Sequence, residues 1–337
     1  MRVLFPSRPF EPGSVDPAFA AERAAAEAAG LETLLVDGEA LDDGCFDQAV
    51  RRLPDVGQDD LVVFRGWMMR ADTYAALHEA LARRGYRLIN DPAQYRHTHH
   101  LPESYEVIRE HTPRTAWTTS GRELELAAVM HLLAPFGDAA LIVKDYVKSQ
   151  KHYWHEACFI PSARDAEAVR RVASRFLELQ DDGLTGGLVF RELVELEPLT
   201  THSKSGMPLT KEFRTFFLDR QPLVSAEYWE EGAYDEQRPP RDLFVEVAAR
   251  VNSRLFTMDV AHDKAGRWII LELGDGQVAG LPGRLDPSRF YAALAARAEL
   301  GDGFPHLHDI LGRIDGGLNY HSESVGRYRH TAHRRAG

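Results

Sequence analysis

Cysteine is nearly absent from this chain, which has only Cys45 and Cys158 among its 337 residues. Two cysteines exclude a disulfide framework and a four-cysteine zinc site. The chain also lacks any apolar run that approaches the roughly 20 residues of a membrane span. Its opening, MRVLFPSRPF, is too short and too interrupted by proline to form a signal peptide. We therefore expect a cytoplasmic protein without a membrane partner.

Positive charge is in deficit as well. Lysine and arginine number 40 against 51 acidic residues, which gives a formal net charge of -11. Nucleic-acid-binding proteins usually carry a basic surface, so nucleic acid is not an expected partner. A local basic cleft for phosphate groups remains compatible with this balance. With 44% hydrophobic residues, the chain can build a sizeable core and more than one lobe.

The N-terminal part of the chain alternates short apolar strands with helices. The predicted strands are Val3–Phe5, Leu31–Val36, Leu61–Phe64 and Tyr86–Ile89, and the predicted helices run from Asp16-Pro17 to Gly30 and from Ala71 to Arg84. This alternation predicts an open α/β layer. Ligands of such layers lie at the carboxyl ends of the strands, where Arg65 and Asn90 are found.

A histidine-rich segment, His97–His100, follows this layer. It has no cysteine or carboxylate at ligand spacing, so we interpret it as a surface loop or one wall of a substrate site. The break at Thr112–Thr115 marks the first predicted domain boundary. Beyond it we expect helices over 122–134, 162–180 and 242–252, strands over 140–143, 188–190 and 211–218, and a hairpin turn at 205–208.

The stretch Leu255–Gly280 predicts a second hairpin. Its strands are Leu255–Ala261 and Trp268–Leu273, and a symmetric turn about Ala265-Gly266 sets their register. In that register the apolar pairs are Val260 with Leu271 and Met258 with Leu273, and the acidic pair is Asp259 with Glu272. The apolar side chains then share one face of the hairpin, and the two acids share the other.

The acidic pair favours a metal site. Directly opposed residues have Cβ atoms roughly 4.5–5.5 Å apart, at which distance two carboxylates repel. A Mg²⁺ ion removes this repulsion, because it takes oxygen ligands and retains phosphate or water in its shell. The hairpin is therefore interpreted as a metal–phosphate platform formed by Asp259 and Glu272. The alternative is a half-exposed hairpin with two solvated acids.

Three further segments carry residues suited to a nucleotide. A predicted buried strand ends at Lys144, whose amine either reaches solvent or meets an anion, and Lys148 and Lys151 follow it. Arg214 shares a strand face with Glu212, either as a cross-strand ion pair or directed at a phosphate. The strand that ends in Glu192-Leu193-Val194 either offers its backbone to a flat heterocycle or is an edge strand with one exposed acid.

These segments together resemble the ATP-grasp fold, and in particular its clade named for an arginine and two lysines. The resemblance spans about Arg65 to Tyr291 and rests on four motifs: LIVKDYVKSQKH, GGLVFRELV, LTKEFRTFFLD and FTMDVAHDKAGRWIILELGDGQVAGLP. It implies an α/β chain with an α+β C-terminal half. The implied divisions are an N-terminal pre-ATP-grasp domain over 1–115, a small lobe over 116–195, a large lobe over 196–296, and an extension or tail over 297–337.

The resemblance also implies roles for individual residues. Lys144 would contact the α/β-phosphates, with Lys148 as the second candidate, and Arg214 would contact the γ-phosphate or an acyl-phosphate. The adenine hinge would be Glu192, Leu193 and Val194.

Asp259 and Glu272 would hold Mg²⁺. ATP-grasp enzymes often carry an asparagine two residues after the metal-binding glutamate, but this chain has Gly274 there. Asp275 or Gln277 would then supply the third ligand.

The reaction implied is ATP-dependent joining of a carboxylate to an amine through an acyl-phosphate, with Arg214 and Lys144 as catalytic residues. Phosphoryl transfer needs mainly positioning and charge neutralisation, which suits these residues. The alternatives are a phosphotransferase and a nucleotide-binding module without ligase activity. Expected partners are ATP, Mg²⁺, small-molecule or peptide carboxylates and amines, and a second copy of the chain, since a homodimer is the default oligomer. Candidate walls of the substrate site are Arg65, Asn90, His97–His100, Arg114 and Tyr228-Trp229.

Overall fold

The computed structural model of the protein describes residues 1–299 apart from 58, 120, 122 and 204–207. Its N-terminal part is a sheet with interleaved helices. The strands are β1 (Arg2–Arg8), β2 (Glu11–Val15), β3 (Glu32–Val36), β4 (Asp60–Phe64) and β5 (Tyr86–Leu88). The helices are α1 (Ala20–Ala28), α2 (Gly38–Asp42), α3 (Phe46–Ala49), α4 (Ala71–Ala82), α5 (Pro92–His99) and α6 (Leu101–Ile108).

Strands β3, β1, β4 and β5 lie side by side in that order and are parallel. Strand β2 pairs antiparallel with the end of β1. The predicted open α/β layer is therefore confirmed. The Asp16 carboxylate accepts a hydrogen bond from the Ala18 N–H at 2.9 Å, so the helical segment begins where the sequence predicts. Gly30, with φ of 79°, follows the end of α1.

The middle part of the chain forms an antiparallel sheet in the order β6-β9-β7-β8. Its strands are β6 (Thr115–Trp117), β7 (Leu141–Lys144), β8 (Phe159–Ile160) and β9 (Val189–Glu192), and its helices are α7 (Leu126–Leu133) and α8 (Ala166–Gln180). Helix α8 places Val169, Val172 and Phe176 in one core with Val143 and Phe190 of the sheet. This core fixes β7, the strand that ends at Lys144.

The third part contains a hairpin, a four-stranded antiparallel sheet in the order β13-β12-β14-β15, and two helices. The elements are β10 (Pro198–Thr201), β11 (Pro208–Thr210), β12 (Glu212–Leu218), β13 (Gln221–Glu227), β14 (Leu255–His262), β15 (Trp268–Asp275), α9 (Val245–Ala248) and α10 (Pro287–Glu299). The helix predicted over 242–252 is thus limited to α9. Phe244, directly before it, has φ of 59°, which is incompatible with a helix that starts earlier.

One hydrophobic cluster joins the N-terminal sheet to the third sheet. It contains Val3 and Phe5 of β1 together with Phe216, Leu255 and Phe290. Residues Met1–Ala298 pack as one unit, and the divisions at 115, 195 and 296 remain predictions. The turn predicted at 205–208 falls, apart from Pro208, outside the described residues, as does the predicted extension beyond residue 299. Within the described ranges, every helix is too short or too polar to traverse a lipid bilayer.

Candidate active site

The hairpin β14–β15 brings the two predicted acids face to face. Asp259 pairs directly with Glu272, and Met258 pairs with Leu273, as predicted. Val260 pairs with Ile270 instead of Leu271, because a bulge interrupts the register between Asp259 and Val260. The predicted Val260–Leu271 pair is therefore wrong. Next to the turn the pairs are His262–Trp268 and Ala261–Ile269, so the turn is centred on Ala265 and the predicted symmetry about Ala265-Gly266 is wrong as well. The bulge offsets this difference and restores the predicted register at Asp259 and Glu272.

Arg214 lies on β12, directly opposite Asp259 of β14. Its guanidinium forms a two-point ion pair with the Asp259 carboxylate: Nε donates to Oδ1 at 2.8 Å, and Nη2 donates to Oδ2 at 2.7 Å. Nη1 donates to the Gly280 carbonyl at 3.0 Å, and the guanidinium carbon lies 4.8 Å from the centre of the Tyr228 ring. Arg214 is therefore held on three sides beside the acidic pair.

Lys144, at the end of β7, meets the second acid. Its Nζ donates to Glu272 Oε2 at 3.2 Å, and the lysine side chain is only 10% exposed. Burial acts to raise the pKa of Glu272, but the positive charges of Lys144 and Lys151 outweigh it and lower that pKa to about 2. Lys144 therefore meets an anion and does not reach solvent. Two cations and two carboxylates from separate parts of the fold converge here.

These four side chains line a cavity of about 200 Å³. Helix α5 contributes His99 to its wall, and the segment after β15 contributes Val278, Ala279 and Gly280. Burial lowers the pKa of His99 to about 3, with further lowering by His100 and Lys144, so the imidazole is neutral near pH 7. The prediction of a surface loop at His97–His100 is wrong, because the segment ends a capped helix and His99 is buried. The structure does place it at a cavity wall.

Asp275 lines the same cavity as the acidic pair, but its carboxylate is held by internal hydrogen bonds. It lies three residues beyond Glu272 on β15, and side chains alternate between the faces of a strand. Its carboxylate accepts hydrogen bonds from Asn90 Nδ2 at 2.6 Å and from the Gln277 N–H at 2.9 Å. Gln277 is itself fully buried, and its amide bonds the Tyr74 hydroxyl and the Phe64 N–H. Gln277 does not line the cavity, and the assignment of either residue as the third metal ligand stays a prediction.

Arg65 and Asn90 are also internal and do not form substrate walls. The Arg65 guanidinium pairs with Glu22 at 2.9 Å and donates to the carbonyls of Gly276 and Ala279. The Asn90 amide oxygen accepts from the Arg254 and Leu255 N–H groups, and its nitrogen donates to the Leu255 carbonyl at 2.7 Å. Both residues tie the N-terminal sheet to the ends of β14 and β15. They therefore position the hairpin.

The predicted adenine hinge lies away from the cavity. Strand β9 is flanked by β6 and β7, so it is not an edge strand. The Glu192 N–H donates to the Arg114 carbonyl and the Leu193 N–H to the Ala140 carbonyl, while the Glu192 carboxylate pairs with the Arg114 guanidinium at 2.8 Å. These groups are already used within the protein. Neither they nor Val194 line the cavity, and the assignment of all three to an adenine hinge stays a prediction.

Lys148 and Lys151 are both exposed and both absent from the cavity wall, so the second lysine stays a prediction, and the two differ in their electrostatic contact with the acids. The Lys148 backbone closes a turn on Asp145, and its exposed side chain is not part of the cavity wall. Burial acts to lower the pKa of Lys151, but attraction to Glu212 and Glu272 raises it. Lys151 therefore lies within electrostatic reach of the acidic pair. Sequence spacing alone cannot distinguish the two, because both follow a strand that ends at Lys144.

One cavity residue, Thr257, has no counterpart in the sequence-based predictions. It lies two residues before Asp259 on β14, is 1% exposed, and lines the cavity. A threonine in a strand normally indicates only β propensity. The signal that could have identified Thr257 is the spacing i and i−2 relative to Asp259, which puts both on one face.

The geometry defines a class of protein. One antiparallel sheet supplies the cavity with an arginine and two paired acids, and a second sheet supplies a lysine. This is the arrangement that the ATP-grasp resemblance implies. Solved ATP-grasp structures match the chain with TM-scores above 0.5 and sequence identities below 20%. The chain therefore has the ATP-grasp fold.

The family is given by a sequence match. Residues 135–294 match the model of the ATP-grasp domain, R2K clade family 3. The predicted resemblance to this clade of the ATP-grasp superfamily is confirmed over that segment. The sequence matches no curated protein.

Three of the similar structures illustrate the range of the fold. D-cycloserine synthetase DcsG has a TM-score of 0.54 and 18% identity, over 88% of this chain and 99% of that chain. The ATP-grasp ligase PsnB was solved in complex with a phosphomimetic variant of minimal precursor, Mg and ADP. It has a TM-score of 0.52 and 17% identity, over 88% of this chain and 99% of that chain. The macrocyclase MdnC from Microcystis aeruginosa MRC, bound with precursor peptide MdnA, has a TM-score of 0.52 and 14% identity, over 88% of this chain and 100% of that chain.

The donor set present here suits the magnesium ion that the fold implies. Asp259 and Glu272 offer hard oxygen ligands at directly opposed positions, and Arg214 and Lys144 balance their charge. Among residues 1–299, with the gaps stated above, no cluster of three or more His, Cys, Asp or Glu side chains could hold a metal ion. Any further ligand would be phosphate, water or another oxygen.

Proposed function

We propose that the protein is an ATP-dependent ligase that joins a carboxylate to an amine through an acyl-phosphate. The observation that carries the proposal is the convergence of Asp259, Glu272, Arg214 and Lys144 on one cavity of an ATP-grasp fold. The ion pairs supply fixed charges at a site from which water is partly excluded, where electrostatic stabilisation of phosphoryl transfer is strong. The cavity has no need of a covalent nucleophile from the protein.

The proposed reaction has two steps. A carboxylate oxygen attacks the γ-phosphorus of ATP, the bond from that phosphorus to the bridging oxygen breaks, and ADP leaves. The amine nitrogen then attacks the acyl carbon, and the carbon–oxygen bond to phosphate breaks. The products are an amide, ADP and phosphate, and the proton lost by the amine passes to solvent.

The residues of the cavity have separate roles in this proposal. Arg214 and Lys144 neutralise negative charge on the transferring group, and Lys151 adds a third positive charge to the same region. Asp259 and Glu272 would hold Mg²⁺, which neutralises the phosphate charge when it is bound. With their carboxylates engaged by the ion, the charges of Arg214 and Lys144 become available to the phosphates.

The substrate class is proposed from a second cavity. This cavity, of about 490 Å³, shares Arg214, Tyr228 and Gly280 with the first and is also lined by Trp229. An arginine between two cavities suits a carboxylate that must approach the γ-phosphate from the side opposite the nucleotide. PsnB and MdnC are solved with precursor peptides, so short peptides belong among the acids and amines to be tested. A cytoplasmic location, where ATP is available, and a homodimer complete the proposal.

The test is an ADP-release screen in which amino acids and short peptides are supplied singly and in pairs, with the product identified by mass spectrometry. A ligase gives ADP and phosphate only when both an acid and an amine are present. Hydroxylamine in place of the amine should trap the acyl-phosphate as a hydroxamate. Glu272→Gln serves as the inactive control, because it keeps the shape of the side chain and removes its charge.

Two other results would point to the alternatives. ADP release with a single acceptor and a stable phosphorylated product would identify a phosphotransferase. Binding of Mg²⁺ and ATP with no ADP from any pair and no hydroxamate would favour a nucleotide-binding module. Either result would contradict the ligase proposal.

A further inference from the structure

The sheet face that carries the acidic pair continues for one more pair of residues. Thr257 lies two residues before Asp259, and Gly274 lies two residues after Glu272, so both share the face of the acids. The two are direct partners across the strands, as the acids are. The bulge in the hairpin is on the other side of Asp259 and does not disturb this register. The face therefore presents a hydroxyl and a bare backbone next to two carboxylates.

The Thr257 side chain is buried but is not used by the protein. It is 1% exposed and lines the cavity. Its hydroxyl is not one of the fully enclosed side-chain atoms without a partner, so it opens onto the cavity. A valine would fill the same space without a polar atom, whereas the threonine offers an oxygen to a molecule that enters the cavity.

Because Gly274 has no side chain, the Thr257 hydroxyl can occupy the space beside it. A Cβ built on Gly274 would lie 2.7 Å from Thr257 Oγ1, closer than side-chain atoms normally approach. Any larger residue at 274 would displace the hydroxyl. Position 274 therefore favours glycine because of the neighbouring Thr257 side chain and not because of its own backbone conformation. Together the two residues present one side-chain oxygen to the cavity.

We propose that the Thr257 hydroxyl is a third oxygen ligand, beside Asp259 and Glu272, of the divalent cation that the cavity binds together with a nucleotide. This inference rests on the proposed function, since it assumes that a metal–nucleotide complex occupies the cavity. A neutral hydroxyl is a suitable ligand for a hard cation, and it adds no negative charge to a site that already has two carboxylates. The Asp275 carboxylate, which lines the same cavity, accepts hydrogen bonds from Asn90 and Gln277, whereas Thr257 lies on the strand face that carries both acids.

The test measures binding of Mn²⁺ as a probe of the cation site, by electron paramagnetic resonance in the presence of ADP. The variants are Thr257→Val, which removes only the hydroxyl, Thr257→Ser, which keeps it, and Gly274→Ala, which adds the Cβ that displaces it. Melting temperatures check that each variant is folded. We expect Thr257→Ser to bind Mn²⁺ like the wild type, and Thr257→Val to bind it about tenfold more weakly, at the lower end of the losses caused by altered metal-site residues.

Gly274→Ala keeps the hydroxyl but moves it, so it should also weaken Mn²⁺ binding even if Thr257→Val does not fold. Equal Mn²⁺ affinity in wild type, Thr257→Val and Gly274→Ala would overturn the inference while leaving the ligase proposal intact. A wild-type protein that holds no Mn²⁺ with ADP would contradict the proposed function itself, and the inference with it.

Discussion

The ion pair between Arg214 and Asp259 allows the structure to be tested independently of any substrate. We predict that Arg214→Met will destabilise the protein strongly. The Arg214 and Asp259 side chains are only 13% and 5% exposed, and two hydrogen bonds of 2.7 and 2.8 Å join them. Methionine preserves much of the volume but leaves the Asp259 carboxylate buried without its cation.

The expected loss follows from this burial. Removing one partner of a buried ion pair costs about 3–5 kcal/mol, because the remaining charge is left uncompensated. Replacing both partners by apolar residues is often nearly neutral. The double variant Arg214→Met with Asp259→Leu should therefore recover most of the stability lost by Arg214→Met. It should nevertheless have no ligase activity, because both charges are gone.

The assay is urea denaturation, with the free energy of unfolding taken from the midpoint and the slope. The Arg114–Glu192 pair provides a matched control, since it also has two contacts, at 2.8 and 3.2 Å, but its side chains are 54% and 28% exposed. Arg114→Met should cost about 1 kcal/mol or less. Equal losses in the two methionine variants would refute the reasoning, because burial would then not decide the cost.

Two further predictions concern charge. Lys144→Met should weaken binding of ADP with Mg²⁺ by roughly tenfold or more in calorimetry, as expected for loss of a charge-assisted hydrogen bond, whereas Lys148→Met should bind like the wild type. An equal effect of both would contradict the placement of Lys144 at the cavity. Burial raises the pKa of Asp275 from 3.8 to about 6. The protonated Asp275 carboxyl therefore stabilises the folded protein fully below pH 4, and this stabilisation is lost as the pH rises through 6. Between pH 4 and pH 7 the free energy of unfolding of the wild type should fall by up to about 3 kcal/mol relative to that of Asp275→Asn, as measured by denaturation at both pH values. If the free energies of the two proteins changed in parallel with pH, the raised pKa of Asp275 would be excluded.

The common face of the two acids could be predicted from the sequence because strand alternation determines it. A two-residue period that places the apolar side chains on one face of the hairpin leaves Asp259 and Glu272 on the other. The bulge beside this pair was not predictable, since the sequence around Leu271 has no glycine or proline to mark it. It pairs Val260 with Ile270, offsets a turn that is centred on Ala265, and so brings Asp259 opposite Glu272.

The surroundings of several polar residues could not be predicted for one physical reason: the sequence does not show which polar groups form hydrogen bonds or ion pairs inside the fold. Asp275 follows the metal hairpin as a ligand would, but Asn90 comes from a distant strand and takes its carboxylate. Arg65 follows a strand of the open sheet, yet Glu22 neutralises it in the interior. These partners are long-range contacts, which local sequence patterns do not show. Glu192 lies on a strand that β6 covers on one side, and β6 precedes α7 in the chain, so the sequence around Glu192 does not reveal this neighbour.

The central claim is that Glu272 and Asp259 together make nucleotide binding depend on magnesium. Calorimetric titration of ADP into the wild type and Glu272→Gln, each with and without Mg²⁺, tests this claim most directly. We predict that Mg²⁺ tightens ADP binding by about tenfold or more in the wild type and has little effect in the variant. Equal tightening by Mg²⁺ in both proteins would contradict the account.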